Sequence, residues 1–210
     1  FAEVIHMIRP GTKEREVALA LEFALRRLGA EEKAFDVIVA SGARGAMPHG
    51  VASDKLIGTS ELVTIDFGCR LSGYHSDETV TLAMGDVSGE LQSIFDTVLE
   101  AHDRALAEVA PGIALTELDR IAREHIKNCG FGDYFGHGLG HGVGLEVHEA
   151  PTVSPRSTMN AEAGMVFTIE PGIYVPGVGG VRIEDTVLVT DDGCRILTKI
   201  PKTFSNILLN

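Results

Sequence analysis

No run of apolar residues in this sequence approaches the roughly 20 needed to cross a membrane. The opening residues, Phe1-Ala2-Glu3-Val4-Ile5-His6, lack the basic region and apolar run of a signal peptide. They read instead as the interior of a helix, so the chain is expected to be an excised domain. Cysteine is scarce: Cys69, Cys129 and Cys194 are far apart, odd in number and form no Cys-x-x-Cys pair. That excludes a disulfide framework and points to reduced thiols and a cytoplasmic location. Basic clusters are missing too, and the net charge is −12, which argues against nucleic acid and anionic membranes as partners. What remains is a 210-residue chain with 44% apolar content, enough for a sizeable core.

One internal repeat is visible. Pro10-Gly11 recurs as Pro111-Gly112, Glu16 as Glu117, and Gly29 as Gly130, all at an offset of 101. Between these marks each copy has helical periodicity, with Val17, Leu19, Leu21, Leu25 and Leu28 in the first and Leu118, Ile121, His125 and Ile126 in the second. Pro-Gly before and Gly after are start and stop signals. Strand-like sequence follows each helix, over 35–40, 62–68 and 74–84 and then 165–175, 181–190 and 195–199, and a helix over about 89–109 joins the halves. The pattern predicts a single α+β domain over 1–210 with pseudo-two-fold halves of about 1–87 and 88–204.

The densest chemistry lies at 137–149, His-Gly-Leu-Gly-His-Gly-Val-Gly-Leu-Glu-Val-His-Glu, with three histidines and four glycines. Histidine ligates metals and moves protons near neutral pH, and glycines let the backbone approach a site closely. Two carboxylate pairs accompany it. Asp66 and Asp77 flank the turn-like Cys-Arg-Leu-Ser-Gly, with their midpoint between Leu71 and Ser72. A hairpin there would set them directly opposite, Cβ atoms about 4.5–5.5 Å apart. Glu170 and Glu184 have their midpoint at Gly177 and repeat the device. Facing like charges call for a cation. Four carboxylates and one histidine suit two divalent ions about 3.5–4 Å apart, sharing a water as nucleophile. Oxygen-rich ligation favours manganese, with cobalt, iron or zinc as alternatives.

Together these segments resemble the pita-bread metallopeptidases, in the branch of aminopeptidase P and prolidase. The motifs are Met-Pro-His-Gly-Val-Ala-Ser-Asp-Lys, Asp-Phe-Gly, Gly-Tyr-His-Ser-Asp-Glu-Thr, the 137–149 segment, Thr-Ile-Glu-Pro-Gly-Ile-Tyr and Gly-Val-Arg-Ile-Glu-Asp. Six ordered motifs across 10–204 make the signal specific. The resemblance implies a pita-bread fold and hydrolysis, by a metal-bridging hydroxide, of the bond between an N-terminal residue and proline. It implies Asp66, Asp77, His141, Glu170 and Glu184 as metal ligands, Asp77 and Glu184 bridging. Glu170 also handles the proton of the water, His148 stabilises the tetrahedral intermediate, and His49 contacts substrate and helps move protons. His137, Arg182 and Tyr174 line the substrate side.

Residue chemistry adds that Arg182 and Glu184 share a strand face, so the guanidinium either grips a substrate carboxylate or bridges to a metal ligand. His75 shares a face with Asp77 but reads as a bystander, and His6, His102 and His125 as surface or packing residues. Val80 departs from the family, which often has arginine there. The branch also carries an N-terminal domain, expected to be absent from this chain, that helps close the cleft and form a homodimer. The expected substrate is a peptide or dipeptide with proline second. Competing readings are a methionine aminopeptidase with the same ligands, creatinase-type hydrolysis, and a metal-free binding module on this fold.

Overall fold

The computed structural model describes residues 1–204 and the backbone of Asn206 and Ile207. Three α-helices run through it: α1 (Glu14–Arg27), α2 (Gly89–Ala107) and α3 (Leu115–Asn128). The strands are β1 (Glu32–Lys33), β2 (Ile38–Ser41), β3 (Leu62–Phe67), β4 (Cys69–Leu71), β5 (Tyr74–His75), β6 (Glu78–Met84) and β7 (Gly140–Gly142). They continue as β8 (Glu149–Val153), β9 (Val166–Ile169), β10 (Gly172–Val175), β11 (Gly179–Arg182), β12 (Asp185–Val189), β13 (Cys194–Ile196) and β14 (Asn206–Ile207). The opening residues read as helix interior make only a short 3-10 turn at Ile5–Met7.

The repeated helices α1 and α3 are each 14 residues long and begin 101 positions apart. Both follow a glycine at positive φ, Gly11 and Gly112, whose amides donate to Ile57 O and Ala161 O at the same 2.8 Å. The α1 stripe differs from the expected one: Glu14, Val17, Leu21 and Ala24 are buried, whereas Leu19 and Leu28 are 51% and 70% exposed. At 3.6 residues per turn the 14/17/21/24 face cannot include 19, and Leu28 is the C-cap residue just past the end of the helix.

One sheet runs β14-β6-β3-β2, antiparallel except for β14 on β6, and a second runs β13-β12-β9-β7-β8. Two apolar cores follow. One gathers α1 with β2, β3 and β6 around Val17, Leu21, Val39, Val63 and Ile65. The other gathers α2 and α3 with the second sheet around Phe95, Val98, Leu118, Ile126 and Phe167. Each large side chain fully buried there stabilises the fold by roughly 1.5–3 kcal/mol. Val80 is 2% exposed within the first core, so an apolar side chain fits that position.

The sequence-predicted strands exist but are broken at the acids. The 74–84 stretch splits at Ser76-Asp77, 165–175 at Glu170-Pro171, and 181–190 at Ile183-Glu184. Pro171 has no N–H for a ladder. The breaks free the acids to turn into the space between the halves. Those halves meet along an antiparallel seam: Glu184 N donates to Thr79 O (3.2 Å), Thr186 Oγ1 to Asp77 O (2.8 Å) and Thr81 Oγ1 to Arg182 O (2.9 Å). Among the described residues no helix is long and apolar enough to cross a membrane.

Candidate metal centre and cleft

A cleft of about 480 Å³ opens at the seam, and all ten sequence-predicted site residues line it: His49, Asp66, Asp77, His137, His141, His148, Glu170, Tyr174, Arg182 and Glu184. One pair geometry needs correction. Asp66 stands opposite Thr79, not Asp77, because the turn is made by Ser72 and Gly73, with φ of 52° and 80°. Two consecutive positive-φ residues give a two-residue hairpin turn. That moves the register by one residue on each strand, so Asp66 and Asp77 are diagonal neighbours. For the other pair the pairings on either side, Gly172 with Arg182 and Ile169 with Asp185, share one register. Glu170 and Glu184 therefore fall opposite each other, as their spacing implies.

The acids are buried with oxygens to spare. Asp66 Oδ1, Asp77 Oδ1 and Glu184 Oε1 have no hydrogen-bond partner. Leaving such groups unpaired is costly, which fits a site built for cations. Asp77, His141 and Glu184 each offer a ligand atom within 4.8 Å of the others. His141 Nδ1 lies 3.0 Å from Gly142 O, which fixes the tautomer and frees Nε2. That nitrogen sits 3.2 Å from Glu170 Oε1 and 3.6 Å from Asp77 Oδ2. Burial, then the charge of neighbouring acids, pushes Asp77 and Glu184 well above the ordinary carboxylate range. Glu170 is also buried, but its contact with the His141 ring outweighs that and holds it below its ordinary value.

Two other histidines of the cleft, His137 and His148, are also in contact with ring neighbours. His137 Nε2 lies 2.9 Å from Tyr174 Oη, and the His141 and His148 rings are 4.0 Å apart. Burial lowers both His137 and His148, so both are neutral near pH 7. His75 is outside the cleft lining, its amide bonded to Gly144 O at 2.7 Å.

Comparison with known proteins supplies the family. The profile described as Metallopeptidase family M24 matches residues 1–191. The chain belongs to that family. It is 53% identical over 195 residues to the Xaa-Pro dipeptidase of Pyrococcus furiosus, covering 93% of this chain and 56% of that protein. Among solved structures, the Xaa-Pro dipeptidase from Bacillus anthracis matches 99% of this chain and 58% of its own at 49% identity, with a TM-score of 0.97. The X-Pro aminopeptidase from Thermotoga maritima matches at 45% identity and a TM-score of 0.95, over 99% of this chain and 59% of its own. The M24 chain thus has the pita-bread fold and spans less than three-fifths of the length of these relatives.

Within the M24 site, Arg182 takes the second of its two sequence readings, the bridge to another carboxylate. Arg182 is 4% exposed and uses four of its five N–H donors: Nη2 donates to Asp66 Oδ2 (2.5 Å), Nη1 lies 3.0 Å from both Pro48 O and Tyr174 Oη, and Nε donates to Thr79 Oγ1 (3.3 Å). It is a structural partner of Asp66, with no fork left for a substrate. Glu184 is answered by Thr79 Oγ1 instead, at 2.6 Å. Two glycines of 137–149, Gly140 and Gly142, serve close approach of backbone to backbone. A Cβ on Gly140 would sit 1.9 Å from Thr168 O, and one on Gly142 2.3 Å from Ala150 O.

Sequence reading missed the residues that hold the histidine loops. Glu14, 0% exposed, accepts from Ser41 N and Oγ, from Ser53 N and Oγ and from Arg44, closing the loop that carries Pro48 and His49. Asp119 on α3 acts alike: it accepts from Leu139 N (3.0 Å) and from Arg123, which donates to Phe135 O and His137 O. The signal was present in each case, as an acid on the apolar face of an amphipathic helix. Thr168 is a third, bonded to His141 N and Glu170 Oε1. Arg156 also lines the cleft, exposed and without an ion pair among the described residues.

Proposed function

We propose that this chain is the catalytic portion of a metal-dependent exopeptidase that hydrolyses the bond between an N-terminal residue and proline. The convergence of ligand atoms from Asp77, His141 and Glu184 within 4.8 Å of one another, in a cleft that an unpartnered Asp66 oxygen also lines, carries the reading. The names of the dipeptidase and aminopeptidase relatives support the substrate class. Asp66, Asp77, His141, Glu170 and Glu184 would hold two divalent ions, with manganese favoured by the oxygen-rich set. When bound, such ions polarise a carbonyl and acidify water.

The protein's own groups do the rest. Glu170, 3.2 Å from His141 Nε2 at the edge of the cation site, accepts the proton from the attacking water. His148, neutral and beside His141, donates to the oxyanion of the tetrahedral intermediate. His49, also on the cleft lining, would contact the substrate and relay a proton toward the leaving nitrogen. His137, aligned by Tyr174, borders the proline side. Proline lacks an N–H and has a fixed φ, so positioning in a shaped cleft matters more than backbone pairing. Arg156 rather than Arg182 is the cation free to receive a peptide carboxylate.

The test is hydrolysis of Ala-Pro, Ala-Pro-Ala and Met-Ala-Ser by the protein loaded with Mn²⁺ or Co²⁺. Cleavage of Ala-Pro alone marks a dipeptidase, and cleavage of Ala-Pro-Ala an aminopeptidase. Cleavage confined to Met-Ala-Ser would replace this reading with a methionine aminopeptidase. Failure to bind either ion would favour a binding module.

A further inference from the structure

Behind the cleft, Glu78 and Asp185 follow Asp77 and Glu184 in sequence, one in each half. The bonds from Glu184 N to Thr79 O and from Thr186 Oγ1 to Asp77 O place Glu78 opposite Asp185 across the seam. Like charges so placed repel. A single ammonium group answers both: Lys202 Nζ lies 2.7 Å from Glu78 Oε1 and 3.4 Å from Asp185 Oδ1, with 8% of its side chain exposed. The same stretch of chain is tied on either side of it. Ile200 N donates to Glu78 Oε1 at 2.9 Å, and Thr198 Oγ1 donates to Asp185 Oδ1.

In extended backbone, successive side chains point to opposite faces. Asp77 and Glu184 therefore point into the cleft while Glu78 and Asp185 point behind it, and displacing one of a neighbouring pair displaces the other. In front, Asp77 and Glu184 carry ligand atoms within 4.8 Å and repel each other until a cation arrives. That repulsion acts to open the seam. The charge behind it acts to close the seam, in surroundings too buried for much screening by salt.

We propose that Lys202 is a positioning residue for the metal centre, clamping Glu78 to Asp185 and so setting the separation of Asp77 and Glu184. The proposal rests on the metallopeptidase reading but not on its substrate. Groups behind a metal's ligands commonly change affinity 10–100-fold when removed.

The experiment is calorimetric titration of Mn²⁺ into the metal-stripped full chain, with melting curves of the metal-free forms. Lys202→Met is expected to bind Mn²⁺ about tenfold or more weakly, and Lys202→Arg to bind like the wild type. Because Lys202→Met leaves Glu78 facing Asp185 with only the His102 ring beside Asp185, Glu78→Gln/Lys202→Met is measured beside it. That variant relieves the repulsion, so its melting temperature should recover while its Mn²⁺ affinity stays low. Wild-type affinity in either methionine variant overturns the proposal, as does an arginine variant no better than the methionine one. A wild-type protein that binds no Mn²⁺ defeats the metal-centre reading and this inference together. A protein that binds Mn²⁺ but cleaves no Xaa-Pro peptide defeats only the substrate assignment.

Discussion

Arg182 and Asp66 form a buried ion pair across the seam, Nη2 to Oδ2 at 2.5 Å, while the other Asp66 oxygen is left without a partner. One oxygen is thus held by protein and the other is free for a cation. Burial raises the Asp66 pKa, and the charge of Arg182 opposes that shift. Removing one member of such a pair leaves a charge buried and uncompensated, at a cost of about 3–5 kcal/mol. Arg182→Gln should therefore lower the melting temperature sharply and weaken Mn²⁺ binding. A variant that melts like the wild type and loses only substrate affinity would mean that Arg182 is free to bind substrate after all.

Arg156 predicts the complementary behaviour. It is exposed in the cleft and anchors no ligand, so Arg156→Ala should keep the wild-type melting temperature and Mn²⁺ content. For Ala-Pro, KM should rise by about tenfold or more with kcat little changed, the pattern of lost uniform binding. The amide Ala-Pro-NH₂ should show a much smaller difference between variant and wild type. Equal losses on acid and amide would remove the carboxylate role.

Gly140 tests whether the glycines serve close strand approach. An alanine Cβ there would meet the Thr168 carbonyl oxygen at 1.9 Å, a backbone atom that cannot step aside. Gly140→Ala should push β7 from β9, move His141 next to it, and weaken Mn²⁺ binding while lowering stability by about 1–3 kcal/mol. Gly136→Ala, where a Cβ meets nothing within 4 Å, is the control.

His102 gives a pH prediction away from the cleft. It is 1% exposed, with Nδ1 3.0 Å from Asp103 Oδ1 and Nε2 3.3 Å from Asp185 Oδ2. Burial opposes its charge, but the two acids outweigh it and raise the pKa above the ordinary value. A raised histidine stabilises fully below its unfolded value of about 6.5, and that contribution fades as pH climbs through the folded value. The melting-temperature difference between wild type and His102→Gln should be larger at about pH 5.5 than at about pH 8.5. An unchanged difference would show that His102 packs as a neutral ring.

Much of the site was legible because its chemistry is local. Glu170 and Glu184 interrupt apolar strands at equal distances from Gly177, and that symmetry alone puts them opposite each other. Asp66 and Asp77 were harder, since register turns on whether Ser72 takes a positive φ, which composition does not dictate. Arg182 illustrates the limit more sharply. Sharing a strand face with Glu184 suggested either a substrate grip or a bridge to a ligand, and only the fold brought Asp66, 116 positions away, to its guanidinium.

The sequence by itself determined the family, the α+β class, the repeated helices at an offset of 101 and the ten residues that meet in the cleft. The class and the repeat follow from residue type, spacing and periodicity, which act over a few turns or one hairpin; the family and the ten residues follow from six ordered motifs that resemble it. Tertiary structure decided which acid each cation and hydroxyl serves. Asp66 belongs to Arg182, Glu184 to Thr79, and Glu78 with Asp185 to Lys202. These pairings cross the seam between halves, where the separation of buried charges sets the energy, and no spacing along the chain encodes that separation.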